Sequence, residues 1–325
     1  MQRVTRRRVL GGLAALPLLP DAARSQTAYP GNQTIRIVVP YAPGGTTDLT
    51  GRLLAERLGA VWRTTVVVEN IPGAATNIGI DRLAKAPVDG TTIGIITPSL
   101  ATNPFLYSKM PFDAVKDIQP VSLTVRIPNL LVVRKDLPVN NVAELIAYLQ
   151  KNPGKLNFGS SGAGSTIHLS GEIFKKATGT DMVHVGYRGS GPALNDLLAG
   201  HVDLMFGDIP TVISLARDGR IKGLGVTTAT RYPLAPDYPA IAETVPGFDV
   251  FSYFGAAVRT GTPPEIVAKI EADCMAAARE PAVRDKLALV MAEAVGSSAR
   301  EFSDLLRLET DKWGRLIKEL NLKIE

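Results

Sequence analysis

The sequence predicts an α/β protein of two lobes with a cleft between them and a hinge. Short apolar runs of β type alternate with amphipathic helical patterns along the 325-residue chain, which is typical of largely parallel sheets flanked by helices. The chain is also longer than one ordinary hydrophobic core, since single cores rarely grow beyond about 250–300 residues. In such sheets, ligands bind beyond the carboxyl ends of the strands.

Residues 1–25 predict a signal peptide. The segment starts with basic residues, continues with an apolar run over 9–19 that is too short to span a bilayer, and ends in small residues before Gln26. Its "TRRRVL" stretch fits the twin-arginine pattern, and a Sec signal rich in arginine is the alternative. We therefore expect export to the periplasm.

The charge and cysteine content exclude several classes of partner. The chain carries 36 basic and 31 acidic residues, and removal of the leader leaves 31 and 30, so the excess charge that would favour nucleic acid is lost. Cys274 is the only cysteine, which excludes an internal disulfide and any metal site built from several thiolates. No apolar run of about twenty residues follows the leader, so we expect a protein that is not membrane-embedded. We also expect a monomer.

Two series of elements follow the leader. The first predicts strands over 34–41, 64–70 and 91–98, with a helix over 47–62 and another that stops near Pro87. An extended stretch over 118–138, broken at Pro128, leads to the second series. That series predicts strands over 155–160, 182–187, 202–208 and 221–228, with helices over 142–154, 166–179, 192–201 and 211–219. We assign 26–127 plus 248–325 to lobe 1, with the terminal helices returning to it, and 128–247 to lobe 2.

The loop after the first strand has the composition of an anion site. "PYAPGGTTD" offers glycine backbone N–H groups and hydroxyls at a helix start, without the motif of a nucleotide or dinucleotide loop. Asp48 would repel a phosphate dianion, so a carboxylate, held directly or through water, fits better. The alternative is a tight turn in which Thr47 or Asp48 only caps the helix.

The stretch "GSSGAGST" over 159–166 is the matching loop of the second lobe. Its hydroxyl residues Ser160, Ser161 and Ser165 precede another helix and are candidates to bind a second carboxylate or carbonyl group. The alternative is a flexible helix-capping loop. Two such loops in opposite lobes favour a ligand held between them.

The sequence offers little for catalysis. His168, His184 and His201 are the only histidines and lack metal-ligand spacing, and there is no Gly-x-Ser-x-Gly elbow and no cysteine beside a histidine. His168 is a candidate ligand donor, with a structural role as the alternative. We predict no enzyme, no cofactor and no metal. An exported oxidoreductase or a hydrolase is the rival class, which flavin or haem absorbance or a nucleophile–base pair would reveal.

Several motifs together resemble one known family. These are "YPGNQTIRIVVPYAPGGTTD", "VVVENIPGAATNIGID", "NPFLYSKMPFDAVKDIQPVS", "NPGKLNFGSSGAGSTIHLSGE" and "VHVGYRGSGPALNDLLAGHVDLMF". In this order they resemble the Bug-type extracytoplasmic receptors, the solute-binding proteins of tripartite tricarboxylate transporters. The resemblance covers the chain from about Tyr29. It implies a periplasmic binding protein type II fold, a small organic acid ligand and transfer of that ligand to membrane transporter subunits, or signalling through a sensor.

The resemblance also implies which residues bind the ligand. The first-lobe loop would be Pro43, Gly44, Gly45, Thr46, Thr47 and Asp48, with the turn from Thr97 to Ser99 beside it. The second-lobe loop would be Ser160, Ser161, Gly162, Gly164 and Ser165, with Tyr187 more peripheral.

Two positions depart from the family pattern. The chain has Phe206-Gly207-Asp208-Ile209-Pro210 where the family usually has Phe-Asp-Asn-Leu-Pro, so the acid is displaced by one position. Asp208 would favour an ammonium or hydroxyl group on the ligand, with a helix N-terminal acid as the alternative. Arg126 would face either the cleft, where it would pair with a distal carboxylate, or the solvent. We therefore expect a monocarboxylate, a hydroxy acid or an amino acid rather than a symmetric tricarboxylate.

Overall fold

The computed structural model describes residues 29–324, and the predicted signal peptide lies outside this range. The first lobe has a parallel sheet in which β1 lies between β2 and β3, so that Ile37 pairs with both Val68 and Ile93. Its elements are β1 (Ile35–Val39), α1 (Thr46–Trp62), β2 (Val66–Asn70), α2 (Asn77–Ala84), β3 (Thr92–Ile96) and α3 (Ser99–Leu106).

The second lobe repeats this arrangement around β5, which pairs in parallel with β6 and β7. Its elements are α4 (Val142–Lys151), β5 (Asn157–Ser160), α5 (Thr166–Thr178), β6 (Val183–Gly186), α6 (Ser190–Ala199), β7 (Leu204–Asp208), α7 (Ile209–Arg217) and β8 (Ile221–Val226). The parallel strands bring their carboxyl ends, and therefore the loops that follow them, to one edge of each sheet.

One long strand joins the two lobes. β4 (Ile118–Arg134) pairs with β9 (Phe251–Arg259) as far as Pro128, and from Asn129 onward it pairs with β7 and β8 instead. We predicted that Pro128 breaks this stretch, which is wrong, because the strand is continuous. Proline lacks the N–H needed inside a ladder, and here it lies where the pairing partner changes, so that its cost is small.

Apolar residues are buried between the sheet and the helices. Leu54 and Leu58 of α1 have no exposed surface and belong to one cluster with Ile35 and Ile37 of β1, and this cluster continues into the second lobe through Leu197. A fully buried leucine of this kind stabilises the fold by about 1.5–3 kcal/mol. Leu49 of the same helix is only half-buried.

The terminal helices contact both lobes. They are α8 (Pro264–Arg279), α9 (Pro281–Leu289) and α10 (Ala299–Leu320), with the short strand β10 (Glu293–Ala294) before α10. Cys274 of α8 is a free, buried thiol in the same cluster as Leu54 and Leu58. Trp313 of α10 instead joins the cluster that contains Phe174 and Phe206 of the second lobe. The end of α10 therefore also contacts the second lobe.

Candidate ligand-binding site

A cavity lies where strands and helices of both lobes meet, and hydroxyl groups dominate its lining. The empty space there is about 340 Å3, including the part that is open to solvent. Of its thirteen described lining residues, nine carry a hydroxyl, one is a carboxylate and none is a lysine or arginine. The lining consists of Tyr41, Gly45, Thr47, Thr97, Pro98, Ser99, Ser161, Ser165, Thr166, Ser190, Asp208, Ser252 and Phe254.

Besides α7, whose first turn follows Asp208, four helices begin at this cavity. Gly45 and Ser165 are the residues that precede the first turns of α1 and α5, and Ser99 and Ser190 are the first residues of α3 and α6. The start of a helix carries a partial positive charge and backbone N–H groups that the helix itself does not use. The cavity therefore offers an anion several sources of hydrogen-bond donors without a cationic side chain.

Asp48 holds the first-lobe loop in place through hydrogen bonds. Its carboxylate accepts hydrogen bonds from Gly44 N at 3.1 Å, Arg52 Nε at 3.0 Å and Asn70 Nδ2 at 2.9 Å. Burial disfavours its ionised form, but these three hydrogen bonds outweigh burial and lower the pKa of Asp48. Asp48 does not line the cavity. It therefore fixes the loop geometry, and neither direct ligand contact nor simple helix capping describes its position.

The remaining residues of the first-lobe loop fall into two groups. Gly45 and Thr47 line the cavity, as do Thr97 and Ser99. Thr46, Pro43 and Gly44 do not. Thr46 is buried, and its hydroxyl has no hydrogen-bond partner within the described part of the chain. Pro43 and Gly44 are exposed at the rim.

In the second-lobe loop, two serines line the cavity and several hydrogen bonds hold the loop in place. Ser161 and Ser165 line the cavity, and Ser165 Oγ also donates to Gly162 O at 2.7 Å. Gly164 O accepts a hydrogen bond of 2.7 Å from Thr102 Oγ1 of α3, so that this loop touches the first lobe. Gly162 and Gly164 have φ angles of 126° and 81°, which favour glycine.

His168 holds this loop rather than a ligand. Its Nδ1 accepts a hydrogen bond of 3.1 Å from Gly164 N, and its ring lies 4.0 Å from that of His184. Burial lowers the pKa of His168 to about 3 and that of His184 to about 4, so both imidazoles are neutral near pH 7. His168 does not line the cavity, which agrees with the structural alternative.

Ser160 and His184 form a pair that the sequence did not predict. Ser160 Oγ lies 2.6 Å from His184 Nε2 and accepts a second hydrogen bond of 3.1 Å from Gly162 N. Such a contact resembles the nucleophile–base pair of a hydrolase. Ser160 is completely buried, however, and does not line the cavity, so a substrate cannot reach its hydroxyl. The pair fixes β5 to β6 at the start of the loop.

Asp208 is the one acid in the cavity lining. It lies at the end of β7, where Asn129 Nδ2 donates to Oδ1 at 3.0 Å and Ser190 Oγ donates to Oδ2 at 3.1 Å. Burial raises the pKa of Asp208 to about 6, although these hydrogen bonds favour the ionised form. Asp208 immediately precedes the first turn of α7, as the helix N-terminal alternative expects, although its side chain makes no capping hydrogen bond to that helix.

Arg126 and Tyr187 lie outside the cavity. The Arg126 guanidinium is exposed and stacks over the Phe251 ring, 3.8 Å from its centroid, so Arg126 faces away from the ligand site. Tyr187 donates a hydrogen bond of 2.6 Å to Asp196 and lines a neighbouring pocket. Of the two orientations that the sequence left open for Arg126, the structure has the one that faces the solvent.

Five lining residues escaped the sequence interpretation. Tyr41 and Ser190 follow strand ends within the quoted motifs, and Thr166 begins α5, so a closer examination of strand ends would have found these three. Ser252 and Phe254 lie on β9, which the sequence marks only as an extended stretch.

Comparisons with known proteins agree with this architecture. The sequence profile of the tripartite tricarboxylate transporter family receptor matches residues 51–322. The chain is 31% identical to the protein BugT of Bordetella pertussis, over 93% of each chain. It also resembles the structure of R. palustris Rpa4515 with adipate, at 38% identity and a TM-score of 0.88, covering 91% of this chain and all of that one. MatC from Rhodopseudomonas palustris with bound malate is 29% identical with a TM-score of 0.81, covering 88% of this chain and 99% of that one.

These matches confirm the predicted two-lobed periplasmic binding fold. Within residues 29–324, no group of three or more histidine, cysteine or acidic side chains is placed to hold a metal ion. No helix in that range has the length and apolar character needed to cross a membrane. The chain belongs to the tripartite tricarboxylate transporter receptor family, as its resemblance to the Bug-type receptors predicted.

Proposed function

We propose that this protein is an extracytoplasmic receptor that binds a small organic carboxylate in the cavity between its lobes and passes it unchanged to membrane transporter subunits. The observation that carries this proposal is the meeting of four helix starts and nine hydroxyl residues at one cavity that has no cationic side chain. Donors of this kind suit a singly charged carboxylate, and Asp208 disfavours a phosphate dianion.

Two relatives with known ligands support the ligand class. The structures with adipate and with malate both contain carboxylates, and both cover nearly the whole of this chain. Transfer to a transporter, rather than to a sensor, follows from the family to which the chain belongs.

We assign direct ligand contact to the residues that line the cavity. Among the predicted site residues these are Gly45, Thr47, Thr97, Ser99, Ser161, Ser165 and Asp208. A framework role is assigned to Pro43, Gly44, Thr46, Asp48, Ser160, Gly162, Gly164, His168 and Tyr187. The ligand carboxylate would lie toward the two loops, and an ammonium or hydroxyl group of the ligand would donate to Asp208.

We further propose that the lobes are 26–127 plus 248–325 and 128–247, and that they close about β4 near Pro128. Closure of two lobes over a ligand is a common hinge motion of binding proteins. Export through the twin-arginine route, periplasmic location and a monomeric state complete the proposal.

The proposal is tested by calorimetric titration of the exported chain with carboxylates and with their uncharged amides. We expect saturable 1:1 binding of at least one carboxylate and none of its amide, with the ligand recovered unaltered. Binding of a flavin or nicotinamide cofactor in place of any carboxylate, or chemical conversion of the bound acid, would overturn it.

A further inference from the structure

A second pocket adjoins the ligand cavity and shares two residues with it. This adjoining pocket encloses about 580 Å3 and is lined by Tyr41 and Ser161, which also line the cavity, together with the segment 72–76 and Arg188. Because Tyr41 and Ser161 line both spaces, the two lie side by side, and a ligand longer than the cavity would extend toward the adjoining pocket.

Arg188 is held at the boundary between the lobes by its backbone. Its carbonyl oxygen accepts a hydrogen bond of 2.9 Å from Ala42 N of the first lobe, and the preceding Tyr187 N donates to Ser160 O at 2.9 Å. The Arg188 side chain is exposed, and within residues 29–324 no carboxylate oxygen lies within 4.0 Å of its guanidinium. The second lobe therefore presents a cation without a carboxylate partner at the adjoining pocket.

The charges around the two spaces are of opposite sign. Arg188 is the one charged residue among the described lining of the adjoining pocket, and Asp208 is the one in the cavity. A ligand that spans both spaces meets neutral donors, the Asp208 carboxylate and the Arg188 guanidinium. A ligand with an anionic group at the end remote from Asp208 would place that group beside Arg188 and away from the acid.

The opposite wall of the adjoining pocket is a strained backbone segment. Ala74, Ala75 and Thr76 have φ angles of 44°, 48° and 82°, a left-handed conformation that these residues rarely adopt. Asn103 Nδ2 donates to Ala75 O at 2.7 Å and holds the segment in place. Backbone strain of this kind clusters at ligand sites, and successive N–H groups in tight turns form concave anion-binding surfaces.

We propose that the adjoining pocket is a second anion subsite, in which the Arg188 guanidinium binds an acidic group at the far end of the ligand. This inference rests on the proposed function and narrows it, because the preferred ligand then carries two anionic groups rather than one. Arg126 is exposed over the Phe251 ring, outside both spaces, and therefore does not supply this cation.

The test compares ligands that differ only in the second acidic group. The dicarboxylates malate, and succinate to pimelate, are titrated in parallel with the monocarboxylates of the same chain length. We expect the wild-type protein to bind its best dicarboxylate about tenfold more tightly than the matched monocarboxylate, the effect of one charge-assisted hydrogen bond at an exposed site. Arg188→Gln should remove this preference, and Arg188→Lys should retain part of it.

The control is Arg220→Gln, which removes an exposed cation of the same lobe outside both spaces. This control should leave both affinities unchanged. The second subsite would be overturned if Arg188→Gln lowered the affinity for dicarboxylates and monocarboxylates equally, or lowered neither. Both results would leave the proposal of carboxylate binding intact. Failure of the wild-type protein to bind any of these acids would instead overturn the proposed function.

Discussion

The Asn129 side chain donates a hydrogen bond of 3.0 Å to Asp208, and the two residues are also direct partners in the ladder between β4 and β7. Asn129 is the first residue of β4 beyond the point at which the strand exchanges β9 for β7 and β8. The acid of the cavity is therefore fixed to the strand that joins the lobes, so a ligand that contacts Asp208 acts directly on the proposed hinge.

Asp208→Asn should lower the affinity for the natural ligand by about tenfold, because loss of a charge-assisted hydrogen bond costs roughly 1.5 kcal/mol or more. Isothermal titration measures the change, and Asp237→Asn, an exposed position outside the cavity, is the control with the same loss of charge. Tighter binding of a dicarboxylate or tricarboxylate by Asp208→Asn would mean that the acid repels ligand charge and that the proposed donor contact is wrong.

The same residue predicts a dependence of stability on pH. Burial raises the pKa of Asp208 to about 6 in the folded protein, against about 3.9 in an unfolded chain. The folded state therefore binds more protons between these values, and this residue's contribution to stability falls as the pH rises from about 4 to about 6.

Asparagine does not titrate, so Asp208→Asn does not lose this stability as the pH rises. The free energy of unfolding of Asp208→Asn minus that of the wild type should therefore increase by on the order of 3 kcal/mol between about pH 4 and about pH 6. Urea unfolding of both proteins at about pH 4, 5, 6 and 7 without ligand measures the difference. A difference that stays constant over this range would contradict a buried, titrating Asp208.

Asp48→Ala should weaken ligand binding as well as stability, because the loop loses the acceptor that holds Gly44 and Asn70 in place. Loss of a helix cap alone would cost about 1 kcal/mol and leave the affinity intact. Measuring affinity and unfolding on one variant separates the two roles, with Asp48→Asn as the conservative control. A destabilised Asp48→Ala protein with unchanged affinity would reduce Asp48 to a purely structural residue.

Gly164→Ala should prevent the close approach of the lobes. An added Cβ would lie 2.7 Å from Asn103 Oδ1 and 2.8 Å from Leu106 of α3, in a backbone with φ of 81°. We expect at least about a tenfold loss of affinity, together with about 1–2 kcal/mol of backbone strain.

Gly179→Ala is the matched control for this strain, since its φ is 61° and nothing lies within 4 Å of the added Cβ. It should lose similar stability and keep full affinity. Equal affinities for the two variants would show that the contact between Gly164 and Asn103 plays no part in closure.

The sequence predicted the parts of the site that depend on local pattern. Ser161 and Ser165 follow a strand and precede a helix, which is sufficient to mark them as donors near the end of a sheet. Ser252 could not be found in this way, because β9 reaches the cavity only through its pairing with β4. Asp48 was misinterpreted because its partner Asn70 lies on a different strand, and no spacing in the sequence reveals that contact.

The orientation of Arg126 was open for a related reason. β4 contains register shifts between Pro120 and Ser122 and between Leu123 and Val125. Each shift interrupts the alternation of side chains between the two faces of the strand, and the sequence shows neither shift, so regular alternation over the residues before Arg126 could not be used to place it.

The most direct measurement of the central claim is the free energy of unfolding as a function of carboxylate concentration. A ligand that bridges both lobes binds the folded, closed protein and not the unfolded chain. At about 100 times its dissociation constant, the natural carboxylate should therefore stabilise the protein by roughly 2.7 kcal/mol. If no carboxylate changes the unfolding free energy while a flavin or nicotinamide cofactor does, the protein is not the carboxylate receptor proposed here.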